Sequence, residues 1–208
     1  MRHTLIIIAT ILFSSVSFGQ TIIRHDNESA EMFAERLKPD STEIAHTIIE
    51  TNALDTTKTI IVSFYKKTIY ETRQMATYVD HSQYDIIIGF VYIPTSDNLY
   101  AKILIDTIPP DGGDPEIISV FFANADKDKN KELIVLCKYG QRHYDYGGDF
   151  YETYIFDYSK DKGRFTYLNK LSEKFWGCEC GYRDNRKPEK AKYKTAKDVK
   201  LGLKKMGF

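Results

Sequence analysis

Residues 121–133 read Phe-Phe-Ala-Asn-Ala-Asp-Lys-Asp-Lys-Asn-Lys-Glu-Leu, with side-chain oxygens at alternate positions Asn124, Asp126 and Asp128 and a carboxylate at Glu132. When such a loop curls, these oxygens can converge on one cation, helped by a backbone carbonyl near Asn130. Calcium takes about six to eight oxygens, so the donor type suits that ion. A second concentration lies at Arg142, His143, Tyr144, Asp145 and Tyr146. Tyr and Arg lead the composition of recognition hot spots, and His143 with Asp145 could pair as acid and base. A lone His between tyrosines is more often solvated, so this stretch reads as a binding surface and not as a catalytic one. Three cysteines, Cys137, Cys178 and Cys180, are disulfide candidates. Cys178 to Cys180 would close a tiny ring, whereas Cys137 to either would staple the start of the tail to the sheet. Any one bridge leaves an odd cysteine, and the three lack a fourth ligand at zinc spacing.

The elements that would hold these residues are mostly strands. Runs rich in Ile, Val, Tyr, Phe and Thr recur at 43–51, 59–66, 84–93, 99–107, 116–123, 132–139, 150–158 and 164–168, with turn residues between them. Short links cannot hold crossover helices, so most neighbours are expected to pair antiparallel. Gly147-Gly148 is expected to break the Tyr-rich stretch, and strands at 116–122 and 133–139 to carry the ends of the acidic loop. A helix is expected at 28–38, capped by Asn27 and stopped by Pro39. A second, near the C-terminus, has Thr195 and Asp198 as a capping box and Ala196, Val199, Leu203 and Met206 as its apolar stripe. The predicted class is mainly β (α+β): an antiparallel meander, sandwich or propeller-like sheet with a short helix at each end.

The acidic loop resembles the D-x-D-x-D-G-x-x-D-L calcium loop of FG-GAP and VCBS repeats, the integrin type found in many exported bacterial proteins. Asn124 takes the first position, Glu132 the ninth and Leu133 the tenth. Lys129 stands where the family has Gly, at a turn with positive φ, and should cost on the order of 1 kcal/mol there. The twelfth position is Val135, which disfavours an EF-hand. The resemblance implies a weak, structural Ca2+ held by Asn124, Asp126, Asp128, Asn130 and Glu132. The order of elements over 116–168 also resembles periplasmic, β-propeller-like inhibitors and immunity proteins acting against lysozyme-type muramidases. No inhibitor contact residue can be matched.

Residues 1–19 read as a secretory signal peptide: a basic start at Arg2, an apolar run from Leu5 to Phe13, and Ser17 and Gly19 before Gln20. The run falls short of a membrane span, and no cysteine near the cleavage site supports a lipid anchor. A periplasmic or extracellular location is expected, with no transmembrane anchor after signal removal. The 29 basic and 29 acidic residues cancel only in sum. Residues 20–182 form a β body with 18 basic and 26 acidic residues, while the tail, 183–208, has 10 basic and 3 acidic. Bulk charge is therefore no argument against a charged partner, though nucleic acid is not expected outside the cytoplasm.

The chain lacks Gly-x-Ser-x-Gly, His-Glu-x-x-His, a phosphate loop and a dinucleotide fingerprint. The expectation is an exported, non-catalytic binding protein with an unknown protein or cell-envelope ligand. The alternatives are a muramidase inhibitor or immunity protein, and an envelope hydrolase built from scattered carboxylates.

Overall fold

A computed structural model describes residues 21–184 and 186–208. The expected signal peptide, the Gln20 that would follow it, and Asn185 lie outside the described residues. The first sheet holds β1 (Thr21–Ile23), β2 (Glu43–Ile44), β3 (Ile49–Thr51), β4 (Ile60–Gln74), β5 (Val79–Ser96) and β6 (Leu99–Ile108), in the order β1-β6-β5-β4-β2 with β3 also on β4. The second holds β7 (Pro115–Ala123), β8 (Glu132–Arg142), β9 (Tyr146–Ser159), β10 (Arg164–Tyr167) and β11 (Gly177–Tyr182). Its order is β10-β9-β8-β7, with β11 also on β9. Every pairing is antiparallel. Links too short for crossover helices join the long strands, so β4, β5 and β6 pair in sequence order in one sheet and β7 to β10 in the other, while the β6–β7 link passes between the sheets.

The sheets share one core. Ile60, Val62, Phe64, Ile87 and Val91 of the first meet Leu133, Val135, Tyr139 and Phe156 of the second. The outward faces are apolar as well, and each carries a helix. On the first sheet, α1 (Ala30–Arg36) sets Phe33 and Ala34 against Ile61, Tyr92 and Tyr100. On the second, Phe121, Ile134 and Ile155 are covered by Phe175 and by Val199 and Leu203 of α3 (Ala196–Lys205). This double cover explains why β4 opens with six consecutive buried residues, and why β8 does too. Strands buried on both faces read as continuous apolar runs, not as alternation. Between β10 and β11 lies one turn of helix, α2 (Asn169–Ser172), whose Ser172 Oγ accepts the Ile155 N–H at 3.1 Å.

Several expectations need correction. The cap of α1 is Ser29, whose side chain accepts the Met32 N–H, while Asn27 stands two residues earlier with φ 61°. The run at 43–51 is two short strands, not one. Gly147 and Gly148 lie inside β9, where Gly147 pairs with both Arg142 and Gly181. Gly148 has φ 151°, and a Cβ there would stand 2.1 Å from the Glu179 carbonyl oxygen. Glycine therefore lets β11 close on β9. The strand β11 was not expected from its Gly-Cys-Glu-Cys-Gly sequence. In α3 Val199, Gly202 and Leu203 are buried, while Met206 is exposed.

Candidate functional site

Two places gather the polar side chains that the fold does not need for itself. The first is the β7–β8 loop. Asp126 Oδ1 accepts the Asp128 N–H at 2.7 Å, and Asp128 Oδ1 accepts the Asn130 N–H at 2.6 Å, so successive side chains fold back on the loop. The Asn130 amide also donates to Asp128 Oδ2 at 3.0 Å. Asp157, from the far end of β9, joins them: one carboxylate oxygen from each of Asp126, Asp128 and Asp157 lies within 4.8 Å of the other two. Glu132 is fully buried beneath the loop. One of its oxygens accepts the Ala125 N–H, and the other, Oε1, has no hydrogen-bond partner. Burial above all, with Asp126 and Asp128 adding repulsion, pushes its carboxyl up to about 7. Asp157 is raised by burial and then by the same two neighbours. Among the described residues no ion pair reaches any of the four acids.

These donors fit a hard cation. They are all oxygen, they come from two strands and a loop, and a buried Glu132 oxygen is left over. Asp157 escaped the sequence reading because it lies 25 positions beyond Glu132. Its only signal was a charge, Phe156-Asp157-Tyr158, inside an apolar strand. The strain expected at Lys129 does not arise, since the only described non-glycine residues with positive φ are Asn27 and Ser41. The loop thus curls without the sharp turn of the FG-GAP pattern. Asn124 is exposed at the mouth of the loop.

The second place is the free end of β8, β9 and β11. The β8–β9 turn closes with the His143 N–H on the Tyr146 carbonyl at 2.9 Å, and the His143 ring stacks on Tyr146 at 4.2 Å between centroids. Tyr182 of β11 pairs with Tyr146 across the ladder, their rings 6.0 Å apart. Two adjoining depressions of about 310 and 450 Å3 share Gln141, Tyr146 and Tyr182. Asp111, Phe150, Cys178 and Glu189 extend the smaller, and Arg142, His143 and Arg183 extend the larger. Gln141 is anchored by its amide on the Asp111 carbonyl at 2.6 Å. Of the stretch singled out in the sequence, Arg142, His143 and Tyr146 line the groove. Tyr144 points to solvent at 87% exposure, and Asp145 faces Arg186 at 3.4 Å. The missed members are Tyr182 and Arg183, which reach the groove because β11 returns to β9.

The cysteines, whose pairing the sequence leaves open, divide into one bridge and one free thiol. Cys178 is bonded to Cys180, with Cα atoms 5.2 Å apart, so the bridge lies within β11. Cys137 is free and buried in the core between the sheets, where burial pushes its thiol up. A buried, protonated thiol is a poor nucleophile.

The class the geometry defines is a β protein of two antiparallel sheets with a helix packed on each outer face. No family model matches the chain, and neither a curated protein nor a solved structure does.

Proposed function

We propose that this chain is an exported, non-catalytic binding protein. Its recognition site is the groove at the end of β8, β9 and β11, and a Ca2+ held by Asp126, Asp128 and Asp157 over Glu132 stiffens the β7–β8 loop. The observation that carries the reading is the convergence of Arg142, His143 and Tyr146 with Tyr182 and Arg183, two segments about 40 residues apart, on one open concavity. Aromatic faces and guanidinium groups around a concavity suit recognition. His143 is occupied by Tyr146 and by Gln141 Oε1 at 3.4 Å, and among the described residues no serine or cysteine stands within its hydrogen bonds. The Ca2+ would offset two of the three aspartate charges and tie the loop at Asp126 and Asp128 to Asp157 of β9.

The test is capture from cell-envelope extract with the chain from residue 20 onward, wild type against Tyr146→Ala and Tyr182→Ala. One defined ligand retained by the wild type and lost from both variants is the expected result. Equal capture by all three proteins would remove the groove from the reading. Turnover of an envelope glycan by the purified wild type would replace it with the hydrolase reading.

A further inference from the structure

The two halves of the groove differ in charge: Asp111 and Glu189 line the smaller depression, Arg142 and Arg183 the larger. Arg186 engages both carboxylates nearest to it, with Nε 2.7 Å from Asp184 Oδ2 and Nη2 3.4 Å from Asp145 Oδ2, and its guanidinium covers the Tyr182 ring at 4.2 Å. Asp145 and Asp184 thus share one guanidinium, which offsets one of their two charges. Arg142 and Arg183 line the 450 Å3 depression, and no acidic residue lines it with them. Among the described residues neither guanidinium has an ion pair or a hydrogen bond. Both are exposed.

The backbone leaves room beside them. Arg142, Gly147 and Gly181 stand in one row across β8, β9 and β11, so two of the three positions lack side chains. A Cβ on Gly181 would meet nothing within 4 Å. The next row is Tyr146 beside Tyr182, with Tyr146 braced by the stacked His143 ring. The depression therefore brings two uncommitted guanidinium groups and two glycines to the edges of the Tyr146 and Tyr182 rings, one backed by His143 and the other by Arg186.

We propose that this depression binds an oxyanion, phosphate or carboxylate, carried on a ring, with Arg142 and Arg183 on the charge and Tyr146 and Tyr182 against the ring. The inference rests on the reading of the groove as the recognition site. Guanidinium forks match the geometry of both oxyanions. An amine ligand would find no counter-charge among the residues of this depression. Because the site is open, binding should weaken as salt is raised.

The experiment is an amide NMR titration of the protein from residue 20 onward, followed at Gly147 and Gly181, with phenyl phosphate, benzoate, inorganic phosphate and benzyl alcohol as probes. Phenyl phosphate and benzoate should shift both amides saturably, inorganic phosphate more weakly and benzyl alcohol least. The tighter of the two ring compounds identifies the oxyanion. Arg142→Gln and Arg183→Gln should each weaken phenyl phosphate roughly tenfold, with the rest of the spectrum unchanged. Benzyl alcohol binding as tightly as phenyl phosphate, or an unaltered affinity in the double variant, overturns the oxyanion assignment and leaves a neutral groove. Inorganic phosphate binding as tightly as phenyl phosphate overturns the role of the ring. No saturable shift at either glycine from any probe overturns this inference together with the groove itself.

Discussion

Burial of a carboxylate with one oxygen unpaired sets the chemistry of Glu132. Its place in the loop pattern suggested a ligand curling over the ion, yet it is buried under the loop, one oxygen on the Ala125 amide and the other unpaired. The third converging carboxylate is Asp157 instead. Ca2+ in the millimolar range should raise the melting temperature over EDTA by a few degrees, as ligand binding to the native state does. Asp157→Asn should lose most of that rise, and scanning calorimetry measures both. An unchanged melt in the wild type would sink the cation site. Gly148 gives a second test at this scale. Gly148→Ala puts a methyl against the Glu179 carbonyl, at 2.1 Å if nothing moves, and should cost about 2–3 kcal/mol in urea unfolding.

At the scale of elements, the basic tail is tied down by apolar contacts and a small ionic clamp. Leu203 and Val199 are buried on Phe121, Ile134 and Ile155, so Leu203→Ala should lose about 3 kcal/mol, read from urea midpoints. Glu179 of β11 meets Lys190 at 2.7 Å and Lys194 at 2.9 Å, and these lysines hold its carboxyl down to about 2. A folded value below the ordinary 4.5 means the clamp's stabilisation is complete above about pH 4.5 and is lost as pH falls toward 2. Glu179→Gln should therefore lose less stability than the wild type across that window, as measured by acid titration of the unfolding midpoint. The cap of α3 was legible because its determinants are local: Thr195 accepts the Asp198 N–H, and Asp198 accepts in return. The strand β11 was not, because its pairing to β9 depends on glycines facing each other across some 34 residues of chain.

Across the whole molecule, stability is unevenly spread. The start of β4 and the middle of β5 are buried between the core and α1, but residues 67–74 and 79–86 pair only with each other. This ribbon exposes Tyr70 at 77% and Tyr78 at 58%. A two-stranded ribbon without a covered face is marginal in water. Hydrogen exchange should therefore be fast in 67–86 and slow at Ile61–Tyr65 and Leu133–Leu136, a ranking that exchange mass spectrometry can check. Equal protection in ribbon and core would mean that another surface covers it. The charge split also takes on a location. Part of the tail's surplus meets the body's Glu179 and Asp145 through Lys190, Lys194 and Arg186, while the tail's Arg183 joins the body's Arg142 at the groove.

By itself the sequence determined the strand content, the antiparallel pairing of sequence neighbours, the position of the acidic loop, and an amphipathic capped helix at the C-terminal end. These follow from periodicity, turn chemistry and short connections, which act within a few residues. Only the tertiary structure decided that Asp157 joins Asp126 and Asp128, that Tyr182 and Arg183 face Tyr146 and Arg142, and that Cys178 bonds Cys180 while Cys137 stays in the core. The physical reason is that strand register, and which faces helices cover, are set by packing between segments far apart in the chain. No local pattern carries that information.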